Sequence, residues 1–155
     1  MRARQGATPT RLRFVTVAGN YMKLAARMRT PFSLVFVDLD GMKPINDTLG
    51  HLEGDRALIE TAGLLKSCLR QSDILARIGG DEFVLLLAAS DQNTDDIIRR
   101  RVQERLESCN AQPDRQYKLS LSMGIVTTTA ETPPTLDELL AQADAAMYRE
   151  KQSKR

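Results

Sequence analysis

The chain has 155 residues, 42% of them hydrophobic and 27% charged, a balance that fits one domain with a buried core and excludes the composition of a disordered segment. Its 22 basic and 20 acidic residues leave a net charge of +2, too small for a broad nucleic-acid or membrane surface, so no nucleic-acid polymer is expected and phosphate binding has to be local. Two cysteines without CxxC spacing and the lone His51 argue against a zinc site, and the longest apolar run, residues 83–89, falls far short of the roughly 20 residues a membrane span needs. With no secretory signal after the charged first residues, the domain is expected in the cytoplasm without membrane contact.

Phe14, Val15, Ala18, Tyr21, Met22, Ala25 and Met28 recur at helical spacing, and Pro31 ends that helix. A nearly continuous apolar strand follows at residues 33–38, as expected of a central strand covered on both faces. The Lys43-Pro44 step predicts an extended loop. Ala57, Leu58, Ala62, Leu65 and Leu69 mark a second helix starting near Gly54 or Asp55.

Residues 74–78 and 83–87 flank Gly79-Gly80-Asp81-Glu82 and read as a β-hairpin. Thr94-Asp95-Asp96 starts a helix whose stripe is Ile97, Ile98, Val102 and Leu106. Tyr117, Leu119, Leu121, Met123 and Ile125 alternate as a strand does, and residues 115–120 could hold a short accessory strand. The last helix opens on Thr135-Leu136-Asp137-Glu138, a capping box. The order α-β-α-β-β-α-β-α predicts an α+β fold, a ferredoxin-like split βαβ sandwich with a mostly antiparallel sheet flanked by helices.

Asp38 and Asp40 sit two apart at the end of the buried strand, so both carboxylates point to one side if the chain stays extended. Alone, such a pair reads as a loop cap. The hairpin returning beside that strand brings Asp81 or Glu82 close, which makes a set of hard oxygen ligands suited to magnesium.

The string Asp38-Leu39-Asp40-Gly41-Met42-Lys43-Pro44-Ile45-Asn46-Asp47-Thr48-Leu49-Gly50-His51, then Gly54-Asp55, then Gly79-Gly80-Asp81-Glu82-Phe83, resembles the GGDEF family of diguanylate cyclases. Ser120-Leu121-Ser122-Met123-Gly124-Ile125 and Ala143-Asp144-Ala145-Ala146-Met147-Tyr148-Arg149-Glu150-Lys151 resemble two further blocks of that family, in the same order. The resemblance implies a nucleotide-cyclase-like fold and a Mg2+-dependent enzyme, with Mn2+ able to substitute, that condenses two GTP into cyclic di-GMP and two pyrophosphates. It implies Asp38, the Leu39 carbonyl, Asp81 and Glu82 as metal ligands, with Asp81 or Glu82 as general base. Backbone amides of Gly41, Met42 and Lys43 would approach phosphate, Lys151 and Arg155 would hold the terminal phosphates, and Asn46 and Asp55 would read guanine. For Asp55 a helix N-cap is the competing role.

Each domain of this family holds one GTP, so a homodimer is implied for catalysis. Arg70-Gln71-Ser72-Asp73 resembles the family's RxxD site for inhibition by the product, with Arg100 or Arg101 as a second basic partner. Arg70 as a helix-end cation is the plain alternative. The chain departs from the family at residues 1–10, where only the following Arg11 is kept, and at Met42, which replaces an aromatic residue. Residues 11–155 are therefore expected to be the catalytic domain, excised from a larger signalling protein and preceded by a divergent segment. Two readings remain open, a working cyclase and a catalytically silent module that binds GTP or cyclic di-GMP as a sensor.

Overall fold

Successive residues of a strand face opposite sides of its sheet, and the central strand here is apolar on both. In the computed structural model, which describes residues 10–128 and 134–154, β1 (Ser33–Leu39) is buried along its whole length. It lies between β3 (Glu82–Leu87) and β4 (Leu121–Thr127), and β2 (Ile74–Arg77) completes the sheet in the order β2-β3-β1-β4. Each neighbouring pair is antiparallel. β1 and β2 thus run parallel with β3 inserted between them, the split βαβ arrangement expected from the order of elements.

The two faces carry separate cores. Val35, Val37, Leu39, Phe83 and Leu85 pack against α2 (Met42–Leu49), α3 (His51–Ser67) and α4 (Thr94–Asn110), while Leu34, Phe36, Val84 and Leu86 pack against α1 (Arg11–Met28) and α5 (Leu136–Ser153). Gly124 makes the second face possible close to β4. A Cβ there would overlap the Ala143 carbonyl and the Met147 amide, so only glycine lets α5 lie directly on the strand. Thr135 caps α5 by accepting from the Glu138 amide at 3.2 Å, which is half of the expected capping box, and the Glu138 side chain meets the Thr135 hydroxyl rather than its backbone.

Three expectations are corrected. Residues 42–49 form α2 and not an extended loop, because Pro44 occupies the first turn, where its missing N–H has no intrahelical acceptor to lose. Consequently α3 begins at His51, one turn before the predicted start, and Asp55 lies inside it rather than capping it. The last strand begins at Leu121, and residues 115–120 hold no accessory strand. The Asn110 side chain instead brackets Leu119, accepting from its N–H at 2.8 Å and donating to its carbonyl at 2.9 Å, which satisfies backbone groups that a strand partner would otherwise take.

Candidate active site

The acids meet because the strands pair. Asp38 stands opposite Glu82 on β3 and opposite Ser122 on β4. The Leu39 N–H donates to the Asp81 carbonyl at 3.0 Å, and the Asp40 N–H donates to the Ser120 carbonyl at 2.8 Å. Leu39 is fully buried toward α2 and α3, so Asp38 and Asp40 are turned to the opposite face, where the end of α5 arrives.

The two aspartates differ in what satisfies them. Asp40 accepts from Ser122 Oγ at 2.8 Å, from Ser120 Oγ at 2.8 Å and from Lys154 Nζ at 2.9 Å. Burial works against its charge, but these donors outweigh burial and hold its carboxyl below the ordinary range. Asp38 accepts from Lys151 Nζ at 2.6 Å through Oδ2 only, and its Oδ1 is buried with no partner. Burial pushes the Asp38 carboxyl up, Lys151 opposes the rise, and the charge of Asp81 adds to it.

Glu82 is raised as well, by burial first and then by Asp38, Asp81 and Asp144, with Arg11 opposing. Its carboxylate lies over Gly79, where an added Cβ would come within 2.6 Å of Oε1. Arg77 braces the same turn, donating to the carbonyls of Gly79 at 3.1 Å and Gly80 at 2.7 Å. For Lys151 burial disfavours the charge, but Asp38 outweighs it and the ammonium is held above the ordinary lysine value.

A buried, orphaned carboxylate oxygen with further acids beside it is a cost unless a cation completes it. Among the described residues no three His, Cys, Asp or Glu side chains are close enough to hold a metal by themselves. Magnesium fits this incomplete donor set, since it is commonly held by one or two carboxylates with substrate phosphates and waters completing its shell. The Met42 and Lys43 amides open α2 and have no intrahelical acceptor, which makes that end receptive to anions.

The Asn46 side chain rests on Gly54, the residue before Asp55. Asp55 lines a groove of about 440 Å³ with Leu58, Ile59, Ala62, Arg77 and Phe83. Arg155 lies outside the described residues, as do residues 1–9.

At the far end of the sheet, Arg70, Asp73 and Arg101 line one cavity of about 150 Å³. Arg100 is exposed on α4 and does not line that cavity. Arg70 is 55% exposed, whereas Asp73 is 4% exposed and both its oxygens serve the backbone, accepting from the Arg70 N–H and the Ala88 N–H at 2.9 Å each. The guanidinium of Arg70 also donates to the Ala88 carbonyl at 2.6 Å.

The motifs of the sequence do not mark Lys154, Ser120 or Ser122 as site residues. The alternation in Ser120-Leu121-Ser122 does place both hydroxyls on one side of a strand, and Lys151 and Lys154 are neighbours at helical spacing, so the signal was present.

A split βαβ sheet with Gly79-Gly80-Asp81-Glu82 at the tip of its β2–β3 hairpin has the architecture of a GGDEF domain. Residues 8–155 match the family described as "Diguanylate cyclase, GGDEF domain", and the chain belongs to it. The bifunctional diguanylate cyclase/cyclic di-GMP phosphodiesterase MucR of Pseudomonas aeruginosa is 38% identical over 120 residues, which cover 77% of this chain and 17% of that protein. Diguanylate cyclase A of Treponema denticola is 32% identical over 124 residues, 79% of this chain and 33% of that protein, so the chain spans a third or less of either relative. The GGDEF domain of the Pseudomonas aeruginosa protein TpbB (YfiN), solved on its own, is similar with a TM-score of 0.85 and 33% identity, covering 96% of this chain and 87% of that one.

Proposed function

We propose that the domain is a diguanylate cyclase, condensing two GTP into cyclic di-GMP with release of two pyrophosphates, as a homodimer and with Mg2+ or Mn2+. The observation that carries this reading is the orphaned Asp38 Oδ1, buried at a strand end beside Asp81 and Glu82. Asp38, Asp81, Glu82 and the Leu39 carbonyl would hold the cation, which neutralises triphosphate charge and polarises the α-phosphate when bound.

The remaining work falls to the chain. The amides of Gly41, Met42 and Lys43 receive phosphate oxygens, and Lys151 and Arg155 hold the terminal phosphates. Lys151 has to exchange Asp38 for phosphate as the nucleotide enters. Asn46 and Asp55 read guanine, whose N1 and N2 donors a carboxylate can accept together.

The ribose 3′-hydroxyl of one GTP attacks the α-phosphorus of the other. That step forms a P–O bond and breaks the bond to the β-phosphate oxygen, so pyrophosphate leaves. The hydroxyl proton passes to Asp81 or Glu82. Product binding at Arg70 and Arg101 limits synthesis, with Asp73 holding Arg70 in place.

The test is incubation with GTP and magnesium, with the product identified by mass. Asp38→Ala, Asp81→Ala and Glu82→Ala are expected to abolish product while leaving the melting transition in place. Full product formation by all three variants overturns the site. Should the parent domain make no product, magnesium-dependent GTP binding is compared across the same variants, and its loss would identify a binding module.

A further inference from the structure

Lys151 sits in the final helical turn of α5, where an unanchored helix end would fray. We infer that Glu150 and Lys154, backed by Arg99, form a clip on the edge of β4, and that these three are positioning residues for Lys151. The inference rests on the proposed role of Lys151 toward the GTP phosphates.

β4 is the outer strand of the sheet, paired to β1 on one side only among the described strands. An outer strand leaves alternate N–H and C=O groups unpaired. Here two of them are taken by α5. One carboxylate oxygen of Glu150 accepts from the Met123 N–H, and Lys154 Nζ donates to the Leu121 carbonyl at 2.6 Å. Four residues of helix rise about 6 Å, and two residues of strand advance about 6.8 Å. The 150/154 pair therefore matches the 121/123 pair in register, and the helix end runs along the strand.

The clip is braced from the other face of the sheet. The second oxygen of Glu150 accepts from Arg99 Nη1 at 2.7 Å, and Arg99 is itself held by Asp95 at 2.6 Å on α4. Lys154 reaches Asp40 Oδ2 at 2.9 Å as well as the strand. Lys151 lies between the two clip residues in sequence and reaches Asp38 at 2.6 Å. One carboxylate therefore ties α4, α5 and β4 together beside the cation that meets substrate.

The experiment measures dissociation constants for magnesium–GTP and for GMP by displacement of a fluorescent guanine nucleotide from the whole chain. Glu150→Ala and Arg99→Ala are expected to weaken GTP binding about three- to tenfold, as befits one partly exposed charge-assisted contact. GMP, which lacks the terminal phosphates, should be bound as before. Arg99→Lys should recover most of the GTP affinity, and amide exchange at Met123 should quicken in Arg99→Ala. Because the Arg99 side chain is 39% exposed, this variant keeps its fold should Glu150→Ala fail to. Unchanged GTP affinity in both alanine variants overturns the clip, and an equal loss of GTP and GMP affinity overturns it by revealing a general structural role. Lys151→Ala run alongside separates the two levels of the argument, since no loss of GTP affinity there removes the phosphate role of Lys151 and the clip with it.

Discussion

Asp38 and Asp40 have the same side chain, lie two residues apart and face the same way, yet one is ready for a cation and the other is already satisfied. The difference comes from β4, whose Ser120 and Ser122 hydroxyls reach Asp40, while Asp38 keeps an unpartnered oxygen. A comparable constraint acts at Gly54. A Cβ there would overlap Asn46 Oδ1 and approach Met42 Cε to 2.9 Å. In a helix interior Gly→Ala ordinarily stabilises by about 1 kcal/mol, so Gly54→Ala separates helix propensity from this contact. The expected outcome is no gain in melting temperature and GTP binding weakened about tenfold, with the preference for GTP over ATP reduced as Asn46 is displaced. Asp55→Ser should reduce the same preference. Competition binding with GTP and ATP is the check, and an alanine variant with parental affinity and selectivity would remove Asn46 from guanine recognition.

At the scale of elements, the features carried by local pattern were legible: α1 from its apolar stripe, the hairpin from its paired glycines, α5 from Thr135 and Glu138. Those decided by distant contacts were not. Pro44 points to a loop in the sequence but sits in the first turn of α2, where proline is tolerated, and Leu119 alternates like a strand residue although Asn110 takes its backbone groups. In the site the acids were legible from their motif, but the saturation of Asp40 depends on residues 80 and 82 positions away.

The segment before β4 is held to α3 by Arg115, whose Nη1 and Nη2 donate to Glu60 at 2.8 and 2.9 Å. That hydrogen bond lowers the Glu60 carboxyl below 4.5, with burial opposing and the Cys109 thiol assisting. A carboxyl lowered in the folded state contributes stability above its unfolded value and loses it as pH falls through its folded value. Glu60→Gln should thus cost on the order of 0.5–1 kcal/mol at neutral pH, since the pair is partly exposed. The deficit should close well below pH 4.5, and urea unfolding at both pH values checks it. A deficit that persists in acid would assign the effect to packing. At the other end of the sheet, Arg70→Ala should weaken cyclic di-GMP binding measured by calorimetry, because Arg70 is the exposed partner of its ion pair with Asp73 and lines the cavity, whereas both Asp73 oxygens are spent on backbone. Unchanged binding would remove that cavity as the product site.

For the molecule as a whole, the proposed reaction sets a requirement that one domain does not meet. Among the described strands, Asp38, Asp40, Asp81 and Glu82 gather at one end of the sheet, at the close of β1, and the proposed chemistry gives that end one triphosphate. The attacking hydroxyl then has to come from a nucleotide held by a second copy, with the two strand ends facing each other across a two-fold axis. The start of α1 lies at this same end of the domain, since the charge of Arg11 acts on Glu82. A parallel coiled coil fused ahead of α1 would therefore bring two acidic ends near one another without touching either core. In the unfused domain the rate of product formation should rise with the square of protein concentration when dimers are scarce, because the active species is the pair. In the fused form the rate should become proportional to concentration and exceed that of the free domain, since tethering supplies an effective concentration in the millimolar range. Mixing a fused Asp81→Ala chain with a fused parent chain sharpens the test. If both half-sites are needed, mixed dimers make no product, and activity falls as the square of the parent fraction. Linear dependence at concentrations where sedimentation shows the free domain to be monomeric, or full activity in mixed dimers, would mean that one domain carries out both bond formations by itself.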